Sequence, residues 1–122
     1  KNLIMINFLN LLIIEFVIKN LQVSGIDVKI GSNVKENDIL FDQFSDNDIW
    51  FHVDGMPSAH MWIKDTSLSK GQLYQIALQL KKNSKYKKMN NIPIIYTTKA
   101  NLKKGDTLGS VLILGKTKII NV

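Results

Sequence analysis

Asp48-Ile49-Trp50-Phe51-His52-Val53, the turn Asp54-Gly55-Met56-Pro57, and then Ser58-Ala59-His60-Met61-Trp62-Ile63 decide how this chain folds. Apolar and polar-aromatic residues alternate on both sides of a glycine-proline turn, which is the pattern of an antiparallel hairpin. Pairing segments 48–53 and 59–64 so that Trp50 faces Trp62 sets His52 opposite His60. Side chains alternate along a strand and a partner strand keeps the parity, so these four share one face, with Asp48 and Lys64 at its ends. Ile49, Phe51, Val53, Met61 and Ile63 take the other face, which is apolar.

The indole–imidazole platform admits more than one use. Covered by another element, its tryptophans fill core volume and its histidines make structural hydrogen bonds, the role we expect for His52 and His60. Left open, it offers a surface on which bases or a nucleotide stack. A metal site is a third use, with Asp48 beside the two histidines. The chain has no cysteine and no other histidine to complete such a ligand set, and no metal or other cofactor is expected. Ser58 and His60 share parity, but no third group orients the imidazole and no oxyanion-hole glycines flank the serine. There is no phosphate-binding glycine loop, dinucleotide fingerprint or pair of catalytic carboxylates, so the chain is not expected to be an enzyme.

Outward from the hairpin, Ser69 is an N-cap and Leu73, Ile76, Ala77 and Leu80 recur at helical spacing, which predicts a helix from about Lys70 to Asn83. Pro93 edges a strand over 92–97. Leu108–Leu114 and Thr117–Val122 suggest a terminal hairpin around Gly115-Lys116. The expected fold class is α+β, a largely antiparallel sheet with hairpins and one principal helix packed on a face.

Charge is unevenly divided. The 122 residues carry a net +6, and all 16 basic residues are lysines. Residues 1–65 hold five lysines and nine acids, residues 66–122 eleven lysines and only Asp106. Lys81, Lys82, Lys85, Lys87 and Lys88, with Tyr86 among them, crowd the end of the predicted helix; Lys99, Lys103 and Lys104 follow Tyr96-Thr97. A run of this kind is ordinarily a solvated face, and lysines also suit a helix C-terminus. Without carboxylate partners, and interleaved with an aromatic, it equally suits a phosphate backbone with one stacked base. The two groups are expected to form one positive surface. Lysine meets phosphate as a point charge, so contacts should be backbone-directed rather than sequence-specific.

Asp-Ile-Trp-Phe-His-Val followed by Ser-Ala-His, with Asp48, Trp50, Phe51, His52, Ser58 and His60, resembles the NFACT-R domain, the RNA-binding module of ribosome-associated quality-control factors. Three more pieces agree in order: Ile30-Gly31-Ser32-Asn33 with Glu36-Asn37-Asp38; Asn83-Ser84-Lys85; and Lys88 to Thr97 with Asn101-Leu102-Lys103-Lys104, the last closest to the family's small stand-alone eukaryotic members. The resemblance covers about residues 23–122. Ser32 stands where many members carry arginine, and Ala59 within what is often Gly-Ser-His. It implies a cytoplasmic, non-catalytic nucleic-acid-binding module. RNA is implied before DNA, with transfer RNA, ribosomal RNA or the ribosome as partners. It also implies a domain over 13–122, with a first strand at Ile13–Ile18 paired to Ile26–Ile30 across Ser24-Gly25, and a charged coiled coil after Val122 in the stand-alone members.

Residues 1–12 fall outside that domain. Leu3 to Ile18 is apolar apart from Asn7, Asn10 and Glu15, too short for a comfortable membrane span and without a signal-peptide cleavage pattern. The chain does not begin with methionine, as expected of part of a longer gene product. The alternative function is a protein-interaction or membrane-proximal adaptor that works through this segment. Oligomeric state is not indicated.

Overall fold

The computed structural model describes residues 17–122. Among these residues six strands form one antiparallel sheet: β1 (Lys19–Val23), β2 (Ile26–Gly31), β3 (Ile49–Val53), β4 (His60–Ile63), β5 (Pro93–Thr98) and β8 (Lys118–Asn121), in the order β1-β2-β4-β3-β5-β8. Helix α1 (Val34–Gln43) follows β2 and helix α2 (Lys70–Lys82) follows β4. A single 3-10 turn, Lys99–Asn101, leads into a two-stranded ribbon of β6 (Leu102–Lys104) and β7 (Val111–Ile113). The α+β class and the antiparallel sheet are as expected.

The hairpin register is also as expected. Trp50 pairs with Trp62, Ile49 with Ile63 and Phe51 with Met61. The two faces therefore seed two cores. On one, Phe51, Val53, Met61 and Ile63 meet Ile76, Ala77 and Leu80 of α2. Ser69 caps α2 as predicted, and Gln72 completes the box: Gln72 N–H donates to Ser69 Oγ (3.1 Å) and Ser69 N–H to Gln72 Oε1 (3.0 Å).

The other face is covered too, by an element that the apolar pattern does not announce. Helix α1 brings Leu40 and Phe44 onto Trp50 and Trp62. Phe44 stacks on Trp62 (centroids 5.0 Å, 13°) and Phe41 meets it edge-on (6.0 Å, 83°). So the longer helix α2 packs on one face as expected, and the shorter α1 covers the other.

Two strand assignments are corrected. The first described strand is Lys19–Val23, not Ile13–Ile18; it pairs with β2 across Ser24-Gly25, both at positive φ, as a primed two-residue turn requires. Residues 13–16, like the apolar extension 1–12, lie outside the described residues. The terminal hairpin does not form. Instead β8 adds to β5 at the sheet edge, while β7 pairs with β6. Backbone bonds between Ile92 and Val122 and from Leu114 N–H to Asn101 O keep the two segments apart.

Candidate nucleic-acid interface

The platform is internal. Trp50 is 2% and Trp62 0% exposed, so neither offers a face to a base. His60 is 7% exposed, and its Nδ1 accepts from Trp50 Nε1–H at 3.2 Å, which leaves its proton on Nε2. The rings of His52 and His60 cross edge to face (5.0 Å, 84°), and His52 stacks on Trp50 (5.5 Å, 10°). Burial, reinforced by the neighbouring His52, pushes the His60 imidazole down to about 3. Burial also lowers His52. His60 therefore packs as a neutral, polar-aromatic core residue, with the half-buried His52 against it.

Asp48 and Ser58 are likewise structural. Burial pushes the Asp48 carboxyl up, but N–H donors from Ser45 (2.7 Å) and Asp65 (2.8 Å), with Lys64 Nζ at 3.6 Å, outweigh it and hold the group below its usual range. The carboxylate thereby ties the start of β3 to the end of β4. Ser58 Oγ accepts from Val53 N–H (3.0 Å) and donates to Ala59 O (2.9 Å), closing the β3–β4 turn. Among the described residues no group of His, Asp and Glu could hold a metal ion.

The glycine turn before α1 is built for close approach. A Cβ on Gly31 would sit 2.3 Å from Asn37 Oδ1. Asn33 caps α1, its side chain accepting from Glu36 N–H (2.9 Å), and Glu36 returns its carboxylate to Ser32 N–H (2.9 Å) and Asn33 Nδ2 (2.8 Å). The anion-binding end of α1 is thus filled by the chain's own carboxylate. Asp38 and Asp42 hold Lys104 Nζ, each at 3.0 Å.

Residues far apart in sequence meet at one end of the sheet. Ser32, Pro57, Ser58, Ala59, Asn83, Ser84 and Lys85 line a shallow groove of about 370 Å³. Tyr86 fixes this arrangement: it is 8% exposed, and its hydroxyl donates to Pro57 O at 2.9 Å. Its ring is therefore a strut between the end of α2 and the hairpin turn, not a stacking face. Lys82, Lys85, Lys87 and Lys88 around it are exposed and make no ion pair among the described residues. Lys81 reaches Val122 O at 3.1 Å.

The second lysine group is elsewhere. Pro93, where β5 begins, lies beside Asp54 and the Ile92–Val122 bonds; Thr98, where it ends, lies beside Ile49, and Lys99 N–H bonds Asp48 O. Six strand residues span about 20 Å. Beyond them Lys99 Nζ donates to Phe44 O (2.7 Å) over the Phe41 ring, and Lys104 joins α1. Of the three, only Lys103 makes no side-chain tie among the described residues. The two groups therefore do not form one surface. Lys116 and Lys118, exposed beside β5, belong to no lysine run and so escape a reading of the sequence. Their proximity depends on the β5–β8 pairing.

Comparisons with known proteins agree with the motifs. A family model described as the NFACT protein RNA binding domain matches residues 15–121. Coiled-coil domain-containing protein 25 is 33% identical in Bos taurus over 100 residues (76% of this chain, 48% of that protein) and 38% identical in Danio rerio over 84 residues (63% and 41%). The Rqc2 homolog RqcH of Bacillus subtilis is 27% identical over 82 residues, 66% of this chain and 14% of that protein. The chain thus spans less than half the length of these curated relatives. The C-terminal part of the fibronectin/fibrinogen-binding protein of Streptococcus suis superposes with a TM-score of 0.78 at 22% identity, covering 86% of this chain and 45% of that one, a likeness of fold. With nearly its whole length matched, this chain belongs to the NFACT RNA-binding domain family.

Proposed function

We propose that this domain binds RNA, transfer or ribosomal, in the cytoplasm, without catalysis, through the groove at the end of α2 and the lysines around it. Family membership supports a nucleic-acid-binding module. The observation that carries the placement is convergence: the Ser32 turn, the Pro57–Ala59 turn and Asn83–Lys85 line one groove, and Lys82, Lys85, Lys87 and Lys88 beside it lack carboxylate partners among the described residues. Ammonium groups on flexible stems displace counterions from a phosphate backbone and read little sequence. With α1's N-terminus closed by Glu36, phosphate contacts fall to side chains rather than to backbone N–H groups.

Fluorescence anisotropy against transfer RNA, ribosomal RNA fragments and duplex DNA at several salt concentrations tests this. Removing one lysine that meets a phosphate should lower the slope of log affinity against log salt by about one unit. The triple change Lys85→Glu, Lys87→Glu and Lys88→Glu should abolish binding and leave the fold intact, because all three side chains are solvated. A folded triple variant that binds RNA with the parent's affinity and salt slope refutes the placement.

A further inference from the structure

A second recess lies at the opposite end of the sheet. Ile49, Tyr96, Thr98 and Lys118 alternate onto the face that carries α2, but α2 packs over β1 and β3 and leaves this corner uncovered. Asn101 and Lys116 close the rim of a space of about 430 Å³, the size of a small-molecule site. Its walls are rigid. Tyr96 is half-buried with its ring stacked on Phe51 (centroids 5.5 Å, 21°), so the core sets its plane. Asn101 Nδ2 donates to Thr97 Oγ1 (2.8 Å) and Lys116 O (3.2 Å), and Thr97 Oγ1 donates to Lys116 O (2.8 Å), which pins the lysine-bearing segment to β5.

Its chemistry is unspent. The hydroxyls of Tyr96 and Thr98 have no hydrogen-bond partner among the described residues, and neither Lys116 nor Lys118 makes an ion pair among them. A fixed aromatic ring, an aliphatic neighbour, two free hydroxyls and two ammonium groups suit a flat heteroaromatic carrying a phosphate. A purely apolar occupant would leave the hydroxyls and both charges unused.

We propose that this recess is a nucleobase subsite. An unstacked base lies against the Tyr96 ring and Ile49, the Thr98 hydroxyl meets its edge, and Lys116 and Lys118 hold its phosphate. This rests on the RNA reading above and deepens it. It gives the domain a base contact at the end of the sheet remote from the groove, where the platform tryptophans, being buried, give none.

The test uses the full chain and a short single-stranded oligoribonucleotide containing 5-iodouridine, irradiated and mapped by mass spectrometry, with NMR titration of 5′-UMP and 5′-AMP alongside. The expected results are a crosslink at Tyr96 and saturable shifts at Tyr96, Thr98 and Lys118. Tyr96→Leu should weaken oligonucleotide binding roughly 5- to 150-fold, the loss of one stacked base, while Tyr96→Phe keeps most of the affinity. Should Tyr96→Leu fail to fold, the solvated pair Lys116→Glu and Lys118→Glu must still remove the crosslink. A chain that binds RNA, crosslinks only around Lys85 to Lys88 and is indifferent to the Tyr96 and lysine changes overturns the subsite and spares the groove. A chain that binds no RNA overturns the groove reading. The mononucleotide titration then decides the subsite by itself: shifts centred on Tyr96 support it and their absence overturns it.

Discussion

Lowering the pH from 7.5 to 5 should remove about 2 kcal/mol of folding stability through His60 alone. Burial first, and the neighbouring His52 second, hold the folded imidazole to about 3, against 6.5 for the free side chain. Between those values the unfolded chain takes up a proton that the folded chain refuses. The stabilising contribution is therefore complete above pH 6.5 and is lost progressively as pH falls toward 3. At pH 5 the loss has run for 1.5 pH units, about 2 kcal/mol at 1.36 kcal/mol per unit. His52, also lowered by burial, adds loss of the same sign. Asp48 does not interfere, because its lowered carboxyl keeps its full contribution until pH falls toward 3.8. Two kcal/mol is a sizeable share of the 5–15 kcal/mol typical of a domain. Urea titrations followed by tryptophan fluorescence at pH 7.5, 6.5, 5.5 and 5 measure it. His60→Gln abolishes the titration and keeps an acceptor near the Trp50 indole, so its stability should fall about 2 kcal/mol less over the same range. Equal stability of the parent at pH 7.5 and pH 5, or parallel curves for parent and variant, would refute the burial argument.

Three further changes probe the scaffold beneath the groove. Gly31→Ala places a methyl 2.3 Å from Asn37 Oδ1 and 3.0 Å from Leu40 Cδ1, so α1 must shift; about 1–3 kcal/mol should be lost in urea denaturation, and a neutral result would mean that α1 is loosely seated. Asn33→Ala removes the α1 cap, and a loss of about 1 kcal/mol is expected in the same assay. Leu80→Ala opens a cavity between α2 and the sheet and should cost about 2–5 kcal/mol, seen as a lower melting temperature.

The hairpin is legible in the sequence because two strands of opposite facing pattern flank one turn, and a one-residue slip would exchange their faces. Helix α2 is legible from its cap and its apolar stripe. Helix α1 is not, since its core residues Leu40 and, just past its end, Phe44 crowd the last turn and leave no long period to detect. The signal that does mark it is Asn33 with Glu36 three residues on, a capping arrangement. The first described strand is easily misplaced because the apolar run 13–18 carries a stronger strand pattern in sequence than Lys19–Val23, which is mostly exposed and at the sheet edge among the described residues. Gly115 resembles a hairpin turn, but a Cβ there would meet Asn101 Oδ1 at 2.2 Å; it serves close packing against a loop distant in sequence, which no local pattern discloses.

The candidate site follows the same division between local and distant. The side chains most conspicuous in sequence, Trp50, His52, His60, Trp62 and Asp48, lie within the fold or largely beneath its surface; the tryptophans pack beneath α1, and Asp48 ties the start of β3 to the end of β4. Tyr86, found among the lysines, turns inward to Pro57 O and joins two of the segments that line the groove. A lysine surface demands little of its neighbours, since an ammonium group on a flexible stem finds phosphate from many positions. Such a surface gives affinity and salt dependence but no discrimination between bases. Any preference this domain shows for one sequence or structure of RNA must therefore come from rigid, partly open groups. Tyr96, held by Phe51 and flanked by Lys118, is such a group on the remote side of the sheet.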